Sequence, residues 1–412
     1  MFRLGAGEEP AERALMSAYL DYAASTPVLP QASAAFVAAL AHAGNPSSVH
    51  RHGQAARAVV ETARELLAAV LACDPIEVVF TSGGTESVNL AIVGLYRAAI
   101  EADAARNVIV VPEAEHHATL DTVLWLQNHE GARLEWLPVD REARIDTAAL
   151  AAVLEREAGN IALVTALWAN NEVGTIQPVA ALTALAASHQ VPLHLDAVAA
   201  LGHDLINFTA LRGDAAGSTG LVALSVSGHK IGSVPGVGAL VVARQAGLKP
   251  LIHGGGQERG LRSGTLDAPA IASFGAAAEA MAAAQAAEHV RLTALRDALI
   301  GQVAQLVPDA ALRGSASSRL NNNVNFTFPG CQSDSLLFLL DEAGVSVSTG
   351  SACQAGVAQP SHVLMAMGLD EAGASSALRF TIGHGTTQAD LDALMRALPE
   401  AHRRARAAGR TA

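Results

Sequence analysis

Short apolar runs alternate along most of the chain with longer segments in which apolar residues recur every three or four positions. The short runs are typical of buried strands, and the longer segments are typical of amphipathic helices. Strands are predicted at 78–81, 108–111, 161–168, 191–195, 221–226 and 238–242, and helices at 56–71, 88–100 and 117–129. This alternation predicts an α/β protein with a mostly parallel sheet covered by helices.

The pattern changes after about Pro269, where a long Ala-rich helical stretch begins. It covers 270–303 and is followed by predicted strands at 324–328, 345–347 and 378–382 and predicted helices at 334–342 and 388–406. We therefore expect a large domain over 29–275 and a smaller α+β domain over 276–412. Residues 1–28 are expected to form an N-terminal segment that packs with the small domain.

Composition limits the kind of partner that the chain can bind. Half of the residues are hydrophobic, which is enough for a large core, and the net charge of −12 argues against nucleic acid. The basic cluster at the C-terminus favours a solvated helix end over a docking surface for an acidic partner; it comprises Arg403, Arg404, Arg406 and Arg410. No apolar run could span a membrane, and residues 1–18 lack the apolar core of a signal peptide. We expect a cytoplasmic protein, which starts at Met1 or at Met16.

Only two lysines occur among the 27 basic side chains, Lys230 and Lys249. Three cysteines, Cys73, Cys331 and Cys353, form neither a disulfide framework nor a Cys-x-x-Cys pair, so no metal site is expected. Any reaction that needs an amine therefore has two candidate residues in the whole chain.

Three segments at predicted strand ends carry polar groups. Ser82-Gly83-Gly84-Thr85 lies between a strand and a helix, where backbone N–H groups can hold a phosphate, although such turns are common. Asp196 follows a strand, where a carboxylate can bind a ligand or cap a helix. Ser227-Gly228-His229-Lys230 follows the next strand. Together, a phosphate cradle, a carboxylate for a pyridine nitrogen and a lysine for a Schiff base are what pyridoxal 5'-phosphate requires.

Cys353 lies in a small, polar and Gly-rich stretch, 347–356, that is predicted to be an exposed, mobile loop. Free cysteines are usually buried, which suits Cys73 and, in a turn, Cys331. We therefore expect Cys353 to be the reactive thiol, because a thiolate on a mobile loop can reach first a substrate and then a partner.

The order of the motifs resembles the cysteine desulfurases of the class V aminotransferase group, within the fold-type I pyridoxal-phosphate enzymes. The similarity is greatest to the iron–sulfur-assembly branch and its actinobacterial members. It runs from Tyr19 to about Pro399 and is carried by the segments 19–27, 44–48, 81–89, 115–117, 170–174, 227–230, 254–259 and 262–265, the Cys353 loop and Arg379-Phe380.

This resemblance implies a role for each matching residue. Lys230 forms the Schiff base and moves the substrate's α-proton, Asp196 pairs with the pyridinium nitrogen, and His116 stacks on the ring and assists proton transfer. Asn171 and Arg379 bind the substrate carboxylate. The phosphate is held by Gly84, Thr85, Ser227 and His229, and by Thr265 from the second subunit of a homodimer. Cys353 takes sulfur from L-cysteine as a persulfide, releases alanine and passes the sulfur to an acceptor such as an iron–sulfur scaffold protein.

Three positions depart from the family pattern. Ala199 replaces a glutamine that bonds the cofactor's phenolic oxygen, Val88 replaces an acidic residue, and 232–235 reads Gly-Ser-Val-Pro where a Gly-Pro run is usual. We expect slower turnover or a shifted substrate choice, with cofactor binding kept. The alternatives are a selenocysteine lyase or another β-lyase of the same fold, and a weakly active, cofactor-bound scaffold protein.

Overall fold

The computed structural model describes residues 17–41, 44–350 and 359–409. The strands are β1 (Ala18–Tyr19), β2 (Val78–Thr81), β3 (Val108–Pro112), β4 (Arg133–Leu137), β5 (Ile161–Leu167), β6 (Pro192–Asp196), β7 (Gly220–Ser227), β8 (Gly238–Val242), β9 (Ala311–Arg313), β10 (Asn323–Thr327), β11 (Val345–Ser346) and β12 (Ala377–Thr381). The α-helices are α1 (Pro30–Leu40), α2 (Arg51–Leu71), α3 (Gly84–Ala102), α4 (His117–Glu130), α5 (Thr147–Arg156), α6 (Val179–Ser188), α7 (Phe208–Arg212), α8 (Ala268–Leu306), α9 (Ser333–Glu342), α10 (His362–Ala366), α11 (Glu371–Ala374) and α12 (Gln388–Gly409).

A seven-stranded sheet with the order β2-β8-β7-β6-β5-β3-β4 forms the larger part. Only β8 runs against its neighbours β2 and β7, so the predicted mostly parallel sheet is confirmed. Strand side chains alternate between the two faces of a sheet. Val78 and Phe80 therefore pack in the hydrophobic core on one face, and Val79 packs in the core on the opposite face. Both faces are therefore covered, which explains why the strands read as continuous apolar runs.

Helices α1, α2 and α8 pack together on one face of this sheet. A Cβ atom at Gly275 would lie 2.7 Å from Cα of Ala63, so glycine is what allows α8 to approach α2 this closely. The Ala-rich composition of both helices therefore serves close packing.

A three-stranded antiparallel sheet, β9-β10-β12, forms the second part. Its core contains Phe326, Phe328 and Phe380, and β1 joins this part by pairing with β11. Helix α8 belongs to both parts, since Phe274 packs in the first core and Leu299 in the second. The domain limits at 28 and 275 stay a prediction.

The predicted strands and helices named above are confirmed to within a few residues at each end. The elements that the sequence patterns missed include α1, β4, β9 and the short helices α7, α10 and α11, and the reversal of β8 was missed as well. In the described residues, no helix is long and apolar enough to cross a membrane.

Candidate active site

A cavity of about 390 Å³ opens at the carboxyl ends of the central parallel strands. Strand β6 ends there at Asp196, the 3₁₀ turn Gly228–Lys230 follows β7, and helix α3 begins at Gly84. Open α/β sheets bind ligands at this edge because the strand ends and helix N-termini converge there. The predicted residues that line the cavity are Gly84, Thr85, His116, Asn171, Asp196, His229, Lys230 and Arg379.

Lys230 reaches into this cavity from the turn after β7. Its amine donates hydrogen bonds to the carbonyl oxygens of Ala23 and Ala24, the latter at 3.3 Å. Burial lowers the pKa of Lys230 to about 8, and the positive charge of Arg379 adds to this effect, which Asp21 and Asp196 oppose. About one fifth of the amine is therefore neutral near physiological pH, and a nucleophile or base needs this neutral form.

Asp196 is the buried carboxyl group of the site. Burial raises its pKa to about 6, against the opposing effects of the Val198 N–H and the charge of Lys230. The Val198 N–H donates to Oδ1 at 2.9 Å, which fixes the carboxyl group at the end of β6. Such a group has one oxygen left for a cationic partner in the cavity.

His116 caps helix α4, where its Nδ1 accepts a hydrogen bond from the N–H of Ala118 at 3.0 Å. Burial lowers the pKa of His116 to about 4, with the charge of Lys230 adding to the effect. The imidazole is thus neutral, and because Nδ1 is the acceptor, its proton is assigned to Nε2.

The N-terminus of α3 and the end of β7 form the opposite wall. A Cβ atom at Gly84 would lie 2.7 Å from Cγ2 of Val198, so only glycine fits at this helix start. Ser227 is fully buried, and its hydroxyl bonds Nδ1 of His229 at 2.8 Å. Burial, followed by the charge of Lys230, lowers the pKa of His229 to about 4. These groups and the exposed Thr85 offer neutral donors to an anion.

Arg379 lies in β12 and is buried. Its Nη2 donates to Oδ1 of Asp21 at 2.9 Å, and its Nη1 donates to the carbonyl oxygen of Asn171 at 3.1 Å. Within the described part of the chain, its Nε has no partner. The guanidinium lines the cavity, where a planar cation of this kind can bind a carboxylate.

Three predicted residues are absent from the described cavity lining, and one of them is the fully buried Ser227. Thr265 is exposed and does not line the cavity of this single chain, and Cys353 lies outside the described residues. Gly350, three positions before Cys353, does line the cavity. The second lysine, Lys249, is half exposed and forms an ion pair with Glu101, away from this cavity.

Sequence reasoning missed several residues of the site. Asp21 holds Arg379, and Tyr22 lines the cavity, although both stand in an N-terminal motif to which no role was given. His203 lines the far wall, where its two ring nitrogens bond the side chains of Asn321 and Asn322 at 2.8 and 2.9 Å. Long-range pairing brings these residues together, which no local pattern reveals.

Comparisons with known proteins agree with this arrangement. The model of the family "Aminotransferase class-V" matches residues 18–394. The "IscS-like cysteine desulfurase" of Mycobacterium tuberculosis is 47% identical over 392 residues, which cover 95% of this chain and 98% of that protein. The chain belongs to the cysteine desulfurases of the class-V aminotransferase family.

Other members of the family are similar over comparable lengths. The "Cysteine desulfurase IscS" of Dictyoglomus turgidum is 39% identical and covers 91% of each chain. A solved structure titled "NIFS-LIKE PROTEIN" superposes with a TM-score of 0.84 at 30% identity, covering 93% of this chain and 99% of that one. The expected fold-type I architecture is therefore confirmed.

Two departures from the desulfurase pattern fall in the cavity wall. Ala199 and the fully buried Val88 both line it. In the described residues, no group of three or more His, Cys, Asp or Glu side chains could hold a metal ion.

Proposed function

We propose that this chain is a pyridoxal 5'-phosphate-dependent cysteine desulfurase, which converts L-cysteine to L-alanine and transfers the sulfur to Cys353. The observation that carries the proposal is the convergence of Lys230, Asp196 and His116 on one cavity, in a chain that belongs to this family. Under this proposal the persulfide serves iron–sulfur cluster assembly or tRNA thiolation.

The residues present fit the cofactor. The N-terminus of α3 opens into the cavity at Gly84 and Thr85, which suits a phosphate held by Thr85, Ser227 and His229. Asp196 offers a buried carboxylate to a pyridinium nitrogen, and His116 offers a neutral ring. When bound, the cofactor supplies an electron sink for the carbon that loses its proton.

The chain's own groups bind the substrate and move its proton. Arg379 and Asn171 lie where they can hold the cysteine carboxylate. The amine of Lys230 takes the α-proton, because a pKa of about 8 lets it both accept and return a proton near neutral pH. His116 can donate from Nε2, since Nδ1 is already an acceptor.

Cys353 is proposed as the sulfur acceptor. Its thiolate attacks the substrate's sulfur, which forms the S–S bond of a persulfide as the C–S bond breaks, and the carbon skeleton leaves as alanine. Three peptide units span at most about 11 Å, so chain connectivity limits the distance between Cys353 and Gly350 in the cavity wall. This short tether supports the proposal.

A homodimer to which Thr265 contributes a phosphate contact from the partner subunit is also proposed, as is a protein sulfur acceptor. The exposed position of Thr265 is compatible with the first of these proposals. The cytoplasmic location stays a prediction.

The test uses purified protein with pyridoxal 5'-phosphate and cysteine, and measures alanine and the position of the persulfide. Lys230→Ala should lose borohydride-reducible cofactor, whereas Lys249→Ala, the matched control, should keep it. Cys353→Ser should lose sulfur transfer, while Cys73→Ser and Cys331→Ser should keep it.

Two results would refute the proposal: cofactor attached at Lys249, or full sulfur transfer in Cys353→Ser. Selenocysteine and cysteine sulfinate are assayed in parallel. A preference for either over cysteine would indicate a lyase, and cofactor binding without turnover would indicate a scaffold.

A further inference from the structure

Glu115 is a buried acid directly before His116 for which the mechanism above has no use. Its side chain lies between the cavity wall and the start of α4, and only 1% of the residue is exposed. Oε1 accepts a hydrogen bond from the N–H of Leu167 at 2.8 Å, and in the described part of the chain Oε2 has no partner of ordinary geometry. Leu167 itself lines the cavity.

The surroundings of Glu115 do not suit a negative charge. Its neighbour across the sheet is a second carboxyl group, because Leu167 pairs in register with Asp196. His362, on α10, bonds the backbone oxygen of Glu115 at 2.8 Å and not its carboxyl group. Among the described residues, no lysine or arginine forms an ion pair with Glu115. A buried carboxylate without a cation is strongly disfavoured, whereas a neutral acid avoids the cost of burying a charge.

Thr119 acts on the same carboxyl group. Its side chain is one helical turn after Glu115, is fully buried and opposes the rise in the pKa of Glu115. Like Oε2 of Glu115, its hydroxyl forms no hydrogen bond of ordinary geometry in the described residues. A neutral acid can thus accept from Leu167 through one oxygen and bond Thr119 through the other, so that both buried polar atoms are satisfied.

We propose that Glu115 is a positioning residue that stays a neutral carboxylic acid, ties the end of β5 to the first turn of α4, and so fixes the imidazole of His116 without adding a negative charge beside Asp196. Burial raises the pKa of Glu115 well above its ordinary value and the charge of Asp196 adds to this effect, which the N–H of Leu167 and the hydroxyl of Thr119 oppose. The role towards His116 rests on the proposed function; the neutral state does not.

The neutral state is tested without cofactor, by chemical unfolding of wild type and Glu115→Gln between about pH 5 and pH 8. A glutamine has the same shape and a permanent N–H donor. In the wild type, Glu115 keeps its proton in the folded state but loses it on unfolding. The folding constant of the wild type, divided by that of Glu115→Gln, should therefore fall about tenfold for each unit that the pH rises, until Glu115 ionises in the folded protein. Other titrating groups, such as His116, His117, His362 and Asp196, are present in both proteins and largely cancel.

The exposed neighbour Glu113 provides the matched control, because Glu113→Gln should show a ratio that does not change with pH. A constant ratio for Glu115→Gln would show that Glu115 is ionised in the folded protein and would overturn the proposal. Thr119→Val should lower the folding equilibrium constant by a similar factor at each pH. If the folding constant did not fall, the role of the Thr119 hydroxyl would be wrong.

The positioning role is tested by the absorption spectrum of the bound cofactor and its pH titration. Glu115→Gln should reproduce both, because the charge and the contacts are kept. Glu115→Ala should shift the band or its titration, because the start of α4 loses both contacts. An unchanged spectrum in Glu115→Ala would overturn the positioning role, and a shifted titration in Glu115→Gln would overturn the neutral state. If the protein binds no cofactor, the proposed function fails while the unfolding result stands.

Discussion

The two cysteines that the structure describes should be nearly inert, which makes thiol chemistry a direct test of the assignment of Cys353. Burial raises the pKa of Cys73 to about 12, and the nearby carboxylates of Glu77 and Asp74 add to the effect. Burial also raises the pKa of Cys331, of which only 3% is exposed. Both thiols therefore stay protonated at the pH at which the enzyme is assayed.

The size of the effect follows from the thiolate fraction. At about pH 8, a free cysteine with a pKa near 8.5 is about one quarter thiolate, whereas a thiol with a pKa near 12 is about 10⁻⁴ thiolate. A more basic thiolate is more nucleophilic, which recovers about a factor of 40 when the Brønsted coefficient is about 0.45. Cys73 should therefore react about 60-fold more slowly than a free thiol, before any steric protection.

The assay is alkylation with iodoacetamide at about pH 8, quenched at intervals and mapped by mass spectrometry, with the protein in denaturant as the reference for free thiols. We expect Cys353 to be labelled first and the loss of sulfur transfer to follow its labelling in wild type, Cys73→Ser and Cys331→Ser alike. Labelling of Cys73 in the folded protein at the rate of the denatured reference would refute the reasoning from burial.

Three further results are expected. Arg64→Ala should destabilise the fold by about 3–5 kcal/mol in guanidinium unfolding, because it leaves Glu258 buried without its cation at 2.7 Å. Arg244→Ala is the control: Arg244 forms an exposed ion pair with Asp74, and its loss should cost under about 1 kcal/mol. Cofactor capture by the apoprotein, followed by absorbance, should rise about tenfold per pH unit up to about pH 8, because the neutral amine of Lys230 reacts; a flat profile would contradict this. Ala199→Gln should raise alanine formation about fivefold, the equivalent of one neutral hydrogen bond of about 1 kcal/mol, and an unchanged rate would show that this departure does not matter.

The sequence predicted the central strands well, because strands buried on both faces appear as unbroken apolar runs. Strand β4 was missed for the opposite reason. It lies at the sheet edge, and only Leu137 among its five residues is buried, so its residues show no apolar run. The reversal of β8 was also out of reach, since its buried residues look the same in either direction.

The groups that are proposed to react could be located from the sequence because their positions relative to strand ends are local features. Asp196 and Lys230 each end or follow a strand, and parallel strands bring their carboxyl ends to one edge. The altered pKa values could not be predicted in this way. They depend on burial by residues far away in the chain, such as the packing that leaves Lys230 mostly enclosed and its amine bonded to Ala23 and Ala24.

Asp21 shows most clearly what a local pattern lacks. It lies 358 positions from Arg379, and the two meet because β1 pairs with β11 and leads the chain past β12, where Asp21 bridges to Thr381. This carboxylate neutralises the guanidinium that is proposed to bind substrate, so a substrate carboxylate must share Arg379 with Asp21. Substrate affinity is therefore set partly by an N-terminal residue whose role only the folded chain makes visible.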